Sequence, residues 1–399
     1  MSRGQFTRWA VIASGEGGGR IASQFFNRAE NPGIEDRILV MNTNRNDIRN
    51  TIDRIDASIT DTGDIGENHA LEFGDKQGAG NSYYYGRQAA EQDLDRITSH
   101  IKQTFTTADA FLYVATLGGG TGNGSIPFVV DQFKQGLTVS ESEPWMDSVI
   151  HVAMAVWPYY WEPDQRHFNA VSGLSRLLRN RDGGQNADMV MLAANSHLDA
   201  ENGSDYDRVN ELIIEAVDLM IGAGRETHGV IDVEDLVTIP RQYGSYHFTP
   251  AVATEMNGDI YELEYMFDKA AENPFVPLDV ATSQIVFPVV RAPESMIDNG
   301  DITEPEVYQA FNQWQNKHDL SVAGQASLTP KRGRGSDVDV LLLLGGFDLS
   351  PLLNHSMEQY EQVRDNLARG NTAGAEGLTE REVQAVLDNL ADYRDQNEG

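Results

Sequence analysis

Residues 116–125 read Thr116-Leu117-Gly118-Gly119-Gly120-Thr121-Gly122-Asn123-Gly124-Ser125 and carry the strongest signal in the chain. They follow an apolar, strand-like run, Ala110–Ala115, and precede Ile126–Phe133, whose apolar spacing is helical. Five glycines in seven residues exceed what a turn requires. Glycines let backbone N–H groups converge on a ligand, and the following helix start adds its positive dipole end, so the unit reads as a phosphate cradle. It lacks the Gly-Lys-Ser/Thr of a Walker A loop.

A second glycine loop, Ser14-Gly15-Glu16-Gly17-Gly18-Gly19-Arg20, follows the run Trp9–Ala13 and opens a helix over Ile21–Asn27. Arg20 stands where a dinucleotide Gly-x-Gly-x-x-Gly fingerprint needs its last glycine, so that fingerprint fails. Two such loops in one sheet point to a polyphosphate. Further strands are expected at Arg37–Met41, Val149–Val156 and Ala187–Ala193, alternating with helical patterns as in a parallel α/β sheet, where ligands bind beyond the strands' carboxyl ends. From Val209, the residues Leu212, Ile213, Ala216, Val217, Met220 and Ile221 predict a buried helix ending at Gly222-Ala223-Gly224. Strand-like runs at Gln284–Val290 and Val338–Leu344 suggest a smaller α+β domain over about 230–350. Asn371–Gly377 reads as a flexible linker to an amphipathic helix with a Thr379/Glu382 capping box. That helix is a docking element on its own fold or a partner-binding one.

Composition narrows the classes. The chain of 399 residues has 61 Asp+Glu against 30 Lys+Arg, a net charge of −31, and only six lysines. Nucleic-acid binding through a basic footprint is excluded. Lys-poor acidity fits hydration in molar salt, with an ordinary acidic protein as the alternative. The absence of Cys removes disulfides, thiolate metal sites and a Cys nucleophile, and makes the cytoplasm the expected compartment. The Trp9–Ala13 run is too short for a signal peptide, and no stretch is long enough to span a membrane, so a soluble protein is expected. The histidines lack metal-ligand spacing.

The loop at Gly118–Gly124 resembles the GGGTG-x-G signature of the tubulin/FtsZ superfamily of GTP-dependent filament proteins. The likeness continues in order. Gly15–Gly19 stands where FtsZ has its first nucleotide loop, with Arg20 in place of the usual Asn. Asn42-Thr43-Asn44 resembles Asn-Thr-Asp, with Asn44 replacing the acid. Gln77-Gly78-Ala79-Gly80-Asn81 resembles the loop that senses the γ-phosphate. Pro158-Tyr159-Tyr160-Trp161-Glu162-Pro163-Asp164-Gln165-Arg166 resembles the ribose loop, which implies that Glu162 accepts from ribose hydroxyls and Arg166 reaches the phosphates. Asn195 is the expected purine-edge reader. Tyr206 and Asn210, one helical turn apart, match the family's aromatic stacker and base-edge partner, and are the tubulin pair rather than the Phe and Asp of FtsZ. Amides at Asn195 and Asn210 can pair with guanine, which favours GTP over ATP. Tyr206 could instead be a packing residue, and the cluster Trp157, Tyr159, Tyr160 and Trp161 fits packing or stacking near the base.

The resemblance implies a tubulin/FtsZ fold: an α/β parallel-sheet GTP-binding domain over 1–205, a central helix over 206–228, a GTPase-activating α+β domain over 229–350, and a C-terminal helix and acidic tail over 351–399. It implies head-to-tail polymerisation and GTP hydrolysis completed by acids of the neighbouring copy, with Mg²⁺ held mainly by nucleotide phosphates and water. Val230-Ile231-Asp232-Val233-Glu234-Asp235 matches the acidic loop, with Asp232 and Asp235 at the catalytic positions and Val230 replacing an Asn. A helix N-cap is the plainer role for Asp232. A helix over about 351–369, the acidity and the Tyr206/Asn210 pair together resemble the archaeal CetZ proteins or a divergent FtsZ-like relative. The expected role is cell shape or division, at mid-cell or the envelope through partners that meet the C-terminal helix. A nucleotide-binding scaffold with little GTPase activity is the alternative. A Rossmann-type enzyme is disfavoured.

Overall fold

A computed structural model describes residues 7–26, 33–34, 37–55, 69–75, 78–105, 108–135, 149–199, 204–223, 235–255, 262–331 and 336–397. The amino-terminal half alternates strands and helices: β1 (Trp9–Ser14), α1 (Gly15–Phe26), β2 (Ile38–Asn42), α2 (Arg45–Ile52), β3 (Ala70–Glu72), α3 (Tyr83–Gln92), α4 (Leu94–Thr104), β4 (Ala110–Thr116), α5 (Thr121–Lys134), β5 (Ile150–Trp157), α6 (Asp164–Leu178), β6 (Met189–Ala194) and α7 (Asn195–Leu198). Then follow α8 (Tyr206–Ala223), α9 (Asp235–Tyr243), β7 (His247–Glu255), α10 (Leu263–Ala271), β8 (Ile285–Pro293), α11 (Glu294–Asp298), α12 (Glu304–Lys317), β9 (Ser327–Lys331), β10 (Val338–Gly345), α13 (Ser350–Ala368) and α14 (Glu380–Asn397).

The strands form one ten-stranded sheet in the order β3-β2-β1-β4-β5-β6-β7-β10-β8-β9. It is parallel from β3 to β7, and β10 then runs antiparallel to both β7 and β8. The β6–β7 ladder is short, pairing Val190 with His247 and Met191 with Phe248, and Thr249 adds a side-chain bond to Leu192 O (2.9 Å).

Central strands of a parallel sheet are covered on both faces, and their residues alternate between two cores. Ala10, Ile12, Phe111, Tyr113, Ala153 and Ala155 face a core that includes residues of α5, α6, α13 and α14. Trp9, Val11, Leu112, Val114, Val152 and Met154 face the other, against Ile21 and Phe25 of α1 and Val209, Ile213, Val217 and Met220 of α8. Phe287, Val289, Leu341 and Leu343 of β8 and β10 belong to this second core too, so α8 seals both halves of the sheet. A third core lies under α10 and α12, around Phe267, Phe311 and Trp314.

The expected strands lie within one to three residues of those observed. Three strands, β3, β7 and β9, escape the sequence reading: β3 is only three residues long, and β7 and β9 hold Pro250 and Pro330 among polar residues, without the apolar run that makes β8 legible despite Pro288. Pro250 and Pro330 are tolerated for positional reasons. β7 has left β6 after Phe248, and β9 is the edge of the sheet. The segment 371–377 is not a free linker: Ala375 and Leu378 are buried against the first core. Beyond it, α14 buries Val383, Val386, Leu390 and Tyr393. The Tyr360 hydroxyl donates to Val383 O (2.9 Å) and the Ser175 hydroxyl to Val386 O (3.1 Å), so the apolar face of α14 is spent on α6 and α13. The helices expected over 21–27 and 206–228 extend beyond what is described, as Asn27 and 224–234 lie outside the described residues.

Two buried histidines make stability depend on pH. Burial pulls both His151 and His247 down to about 4. The unfolded imidazoles bind protons near pH 6.5 and the folded ones only near 4, so the contribution is complete above 6.5 and is lost between 6.5 and 4. Each histidine costs about 1.4 kcal/mol per pH unit in that window. The thermal midpoint at constant high salt is therefore expected to fall steadily from pH 7 to pH 5, with about two protons taken up on unfolding at pH 5. A pH series of melting curves that stays level over this range would contradict it.

Candidate functional site

The first glycine loop is the opening turn of α1, and the second forms the turn between β4 and α5 and continues into the first turn of α5. α1 begins at Gly15, directly beyond the carboxyl end of β1, and α5 at Thr121, after the turn Leu117–Gly120 that follows β4, and the starts of both helices line one cavity of about 680 Å³. The pieces are tied at short range. Ser14 and Ser125 share a hydroxyl hydrogen bond (2.7 Å), as do Thr43 and Thr121 (2.8 Å), and Gly78 N donates to Thr43 O (3.1 Å). Asn169 of α6 donates from Nδ2 to Asn81 O (2.9 Å) and Gly118 O (3.0 Å). Pro127, inside α5, cannot donate to Asn123 O, and Arg176 Nη2 fills that place at 2.9 Å.

The cavity is lined by Gly15, Glu16, Gly17 and Arg20 from the first loop, by Gly78, Ala79, Gly80 and Asn81 from the third, and by Gly118, Gly119, Gly120, Thr121 and Gly122 from the GGGTG loop. Glu162 and Arg166 line it from the ribose-type loop, with Asn195 from α7 and Tyr206 and Asn210 from α8. Six residues expected at the ligand stand behind it. A side chain on Gly18 would meet Val114 O at 2.6 Å and one on Gly19 the Thr51 hydroxyl at 2.7 Å, so these glycines let α1 approach β4 and α2. Gly124 serves α3 likewise, 2.4 Å from Tyr83 O. Asn123 Nδ2 bonds Leu117 O and Asn169 O. Asn42 and Asn44 are turned to Asp47: Asn42 Nδ2 and Asn44 Nδ2 donate to its two oxygens at 3.4 and 3.3 Å, while Asn44 caps α2 through Asn46 N (2.9 Å).

Asp47 itself lines the cavity and was not expected there. The acid missing at position 44 is thus matched by one three residues later, in the first turn of α2. Burial, reinforced by Glu16, lifts the Asp47 carboxyl above its ordinary value, against the pull of Asn42 and Arg20. Arg20 pairs with Glu16. The signal that would have found Asp47 is an Asn N-cap followed by an acid at the third helical position. Thr116, Val156, Pro158 and Pro163 also line the cavity.

At the far end, the buried Glu162 carboxylate accepts from Arg166 Nη1 (2.9 Å) on one oxygen and from the Tyr206 hydroxyl (3.0 Å) on the other. Burial first, then Glu162, pushes the Tyr206 phenol up to about 12, so it remains a donor. The Tyr159 ring meets Tyr206 edge-on (5.1 Å) and its hydroxyl donates to Asp199 (2.9 Å). Tyr160 and Trp161 of the same loop are exposed, whereas Trp157 is buried and donates to Ser356.

Asp235 is the first residue of α9 and does not line the cavity of its own chain. Val230 and Asp232 lie outside the described residues, as does Gln77. Among the described residues no cluster of three or more His, Asp or Glu could hold a metal ion, and no helix is long and apolar enough to cross a membrane.

Residues 8–200 match the family model described as "Tubulin/FtsZ family, GTPase domain". The "Tubulin-like protein CetZ" of Pyrococcus furiosus is 24% identical over 325 residues, which cover 78% of this chain and 79% of that protein. The structure "CetZ1 from Haloferax volcanii - GDP bound monomer" superimposes with a TM-score of 0.70 at 19% identity, covering 90% of this chain and 100% of that one. "CetZ2 from Haloferax volcanii - GTPgS bound protofilament" superimposes with a TM-score of 0.68 at 20% identity, covering 92% and 100%. At these identities the structural likeness is one of fold.

Proposed function

Because this chain belongs with the Tubulin/FtsZ family, whose GTPase-domain model residues 8–200 match, we propose that it binds GTP in the cavity between its glycine loops, polymerises head to tail and hydrolyses GTP where two copies meet. The observation that carries the reading is convergence: four sequence-distant loops and the start of α8 wall one cavity of about 680 Å³, within the range of small-ligand sites. Helix-start amides at Gly15–Gly17 and Thr121–Gly122 suit phosphate oxygens. Asn195 and Asn210 offer amides to a guanine edge, and Tyr206 a ring held in place by Glu162. Glu162 has both oxygens engaged, so ribose hydroxyls share it with Tyr206 and Arg166. Mg²⁺, held mainly by the phosphates and water, would neutralise developing phosphate charge.

The division of labour is that residues 1–205 bind the nucleotide, 206–228 form the central helix, 229–350 supply Asp232 and Asp235 to the next copy, and 351–399 close the fold. CetZ2 from Haloferax volcanii is a protofilament in its GTPgS-bound structure, which supports self-association as the first partner. A cytoplasmic filament acting in cell shape or division follows, with further partners meeting the polar face of α14. Arg20, Asn44 and Val230, the three departures from the family pattern, favour a second reading, a nucleotide-dependent scaffold that scarcely hydrolyses.

The test is sedimentation of the purified protein with GTP, GDP, ATP or a slowly hydrolysed GTP analogue, with phosphate release followed in parallel. Two surfaces this acidic meet only when screened, so GTP-dependent pelleting is expected in molar KCl, where the Debye length is about 3 Å, and absent at 0.1 M, where it is about 10 Å. Pelleting that ignores the nucleotide at every salt concentration would refute the filament. Assembly without phosphate release would select the scaffold.

A further inference from the structure

Asn169 is fully buried in α6 and outside the cavity, yet it touches two of the loops that wall it. One amide proton goes to Asn81 O (2.9 Å), at the end of the loop between β3 and α3. The other goes to Gly118 O (3.0 Å), in the loop between β4 and α5, with Gly119 O at 3.5 Å. Its own oxygen accepts from Gln165 Nε2 (3.1 Å), which fixes the amide's orientation. Its main-chain oxygen accepts from Asn123 Nδ2 (2.6 Å), whose oxygen in turn accepts from Arg176 Nη2 (2.8 Å). Both amide protons are thus committed to the loops, and the oxygen is held by Gln165.

In a trans peptide the N–H of one residue points opposite to the carbonyl of the residue before it. Drawing the Gly119 carbonyl toward α6 therefore turns the Gly120 amide to the other side, that of the cavity, while Gly119 N donates to Thr116 O (3.4 Å) and keeps the turn closed. Drawing Asn81 O toward the same nitrogen sets the spacing of the two loops. We infer that Asn169 is a positioning residue that fastens the Gly78–Asn81 and Gly118–Gly120 loops at the separation a bound polyphosphate needs. The inference rests on the nucleotide-binding reading of the cavity. Its consequence is selective: a ligand long enough to engage both loops feels the fastening, and a shorter one feels it less. The triphosphate end of a nucleotide is the part affected.

Asn186 provides a matched lesion. It is also buried and also donates both amide protons to carbonyls, Pro127 O (2.9 Å) and Arg176 O (2.6 Å), tying α5 to α6 away from the loops. Hydrogen exchange of the nucleotide-free protein, compared between the parent, Asn169→Ala and Asn186→Ala, is expected to rise about tenfold or more in both loops together in the first variant alone. Affinities for GTPγS and GDP are then measured. The triphosphate preference is expected to fall about tenfold in Asn169→Ala, through a loss of about 1.4 kcal/mol confined to GTPγS, and to stay unchanged in Asn186→Ala. If Asn169→Ala does not fold, Gln165→Ala, which removes only the bond orienting the amide, is expected to lower the same preference about threefold. A preference unchanged in the folded variant, an equal fall in Asn186→Ala, or exchange rising in one loop alone overturns the inference. A parent that binds neither nucleotide refutes the proposed function instead, while the exchange comparison still decides whether Asn169 fastens the loops.

Discussion

Gly122→Ala is expected to lower GTP affinity at least about a hundredfold, or about 2.7 kcal/mol, while Gly119→Ala, three residues away in the same loop, leaves the fold intact. The difference is spatial. A methyl group on Gly122 would stand 2.3 Å from Ser14 O and 3.3 Å from Ala115 Cβ. The first of these is backbone at the end of β1, which cannot rotate aside as a side chain can. The start of α5 must therefore move away from the start of α1, and the hydroxyl bond between Ser14 and Ser125 (2.7 Å) parts with it. Overpacking of this kind costs about 1–3 kcal/mol in stability, and the displacement falls on the amides proposed to hold phosphate. On Gly119 the same methyl would meet nothing nearer than Thr116 O and its hydroxyl, at 3.8 Å. Its melting temperature is expected to stay within about 2 °C of the parent. Melting curves and nucleotide binding on the two purified variants check the contrast, and a Gly122→Ala protein that binds GTP as the parent does would show that the two helix starts do not share one ligand.

The same pair shows how far the sequence could be read. Both glycines look alike as letters, and the cradle as a whole was legible because strand, loop and helix follow in order with glycine spacing that no turn demands. What the letters could not separate was glycine needed beside a ligand from glycine needed beside another backbone, which is why Gly18, Gly19 and Gly124 were expected in a cavity that they only support. Strands buried on both faces were legible as apolar runs. β7 and β9 were not, because Pro250 and Pro330 stand among polar residues there, whereas the apolar run of β8 outweighs its Pro288. The segment 371–377 has the composition of a linker, and composition reports backbone freedom rather than what Ala375 lies against. Asp47 and Asn169 were missed for a third reason. Each acts through a partner far away in sequence, so only the fold brings the α2 carboxylate beside Glu16, or the α6 amide to Asn81 and Gly118.

Asp235→Ala is expected to reduce GTP turnover at least about a hundredfold, about 2.7 kcal/mol of barrier, with GTP binding and assembly retained. The cavity of a single chain contains the carboxylates of Glu16, Asp47 and Glu162. Glu162 is committed to Tyr206 and Arg166, and Glu16 to Arg20. That leaves Asp47, beside Asn42 and Asn44, as the acid of the same chain nearest to hand, and its raised pKa makes it a stronger base than an ordinary aspartate. If Asp47 alone activated the attacking water, turnover per subunit would not depend on protein concentration. If Asp235 of the next copy completes the site, turnover per subunit is close to zero below the critical concentration for assembly and rises with polymer above it. The two acids therefore predict different concentration curves. In the second case, Asp235→Ala removes the rise while polymer still forms, and its filaments outlast the GTP pulse that dissolves those of the parent. Asp47→Asn then lowers turnover to a smaller extent. Phosphate release that stays at the parental rate in Asp235→Ala, or that is already maximal per subunit in dilute monomer, would move catalysis from the junction between copies into the single chain.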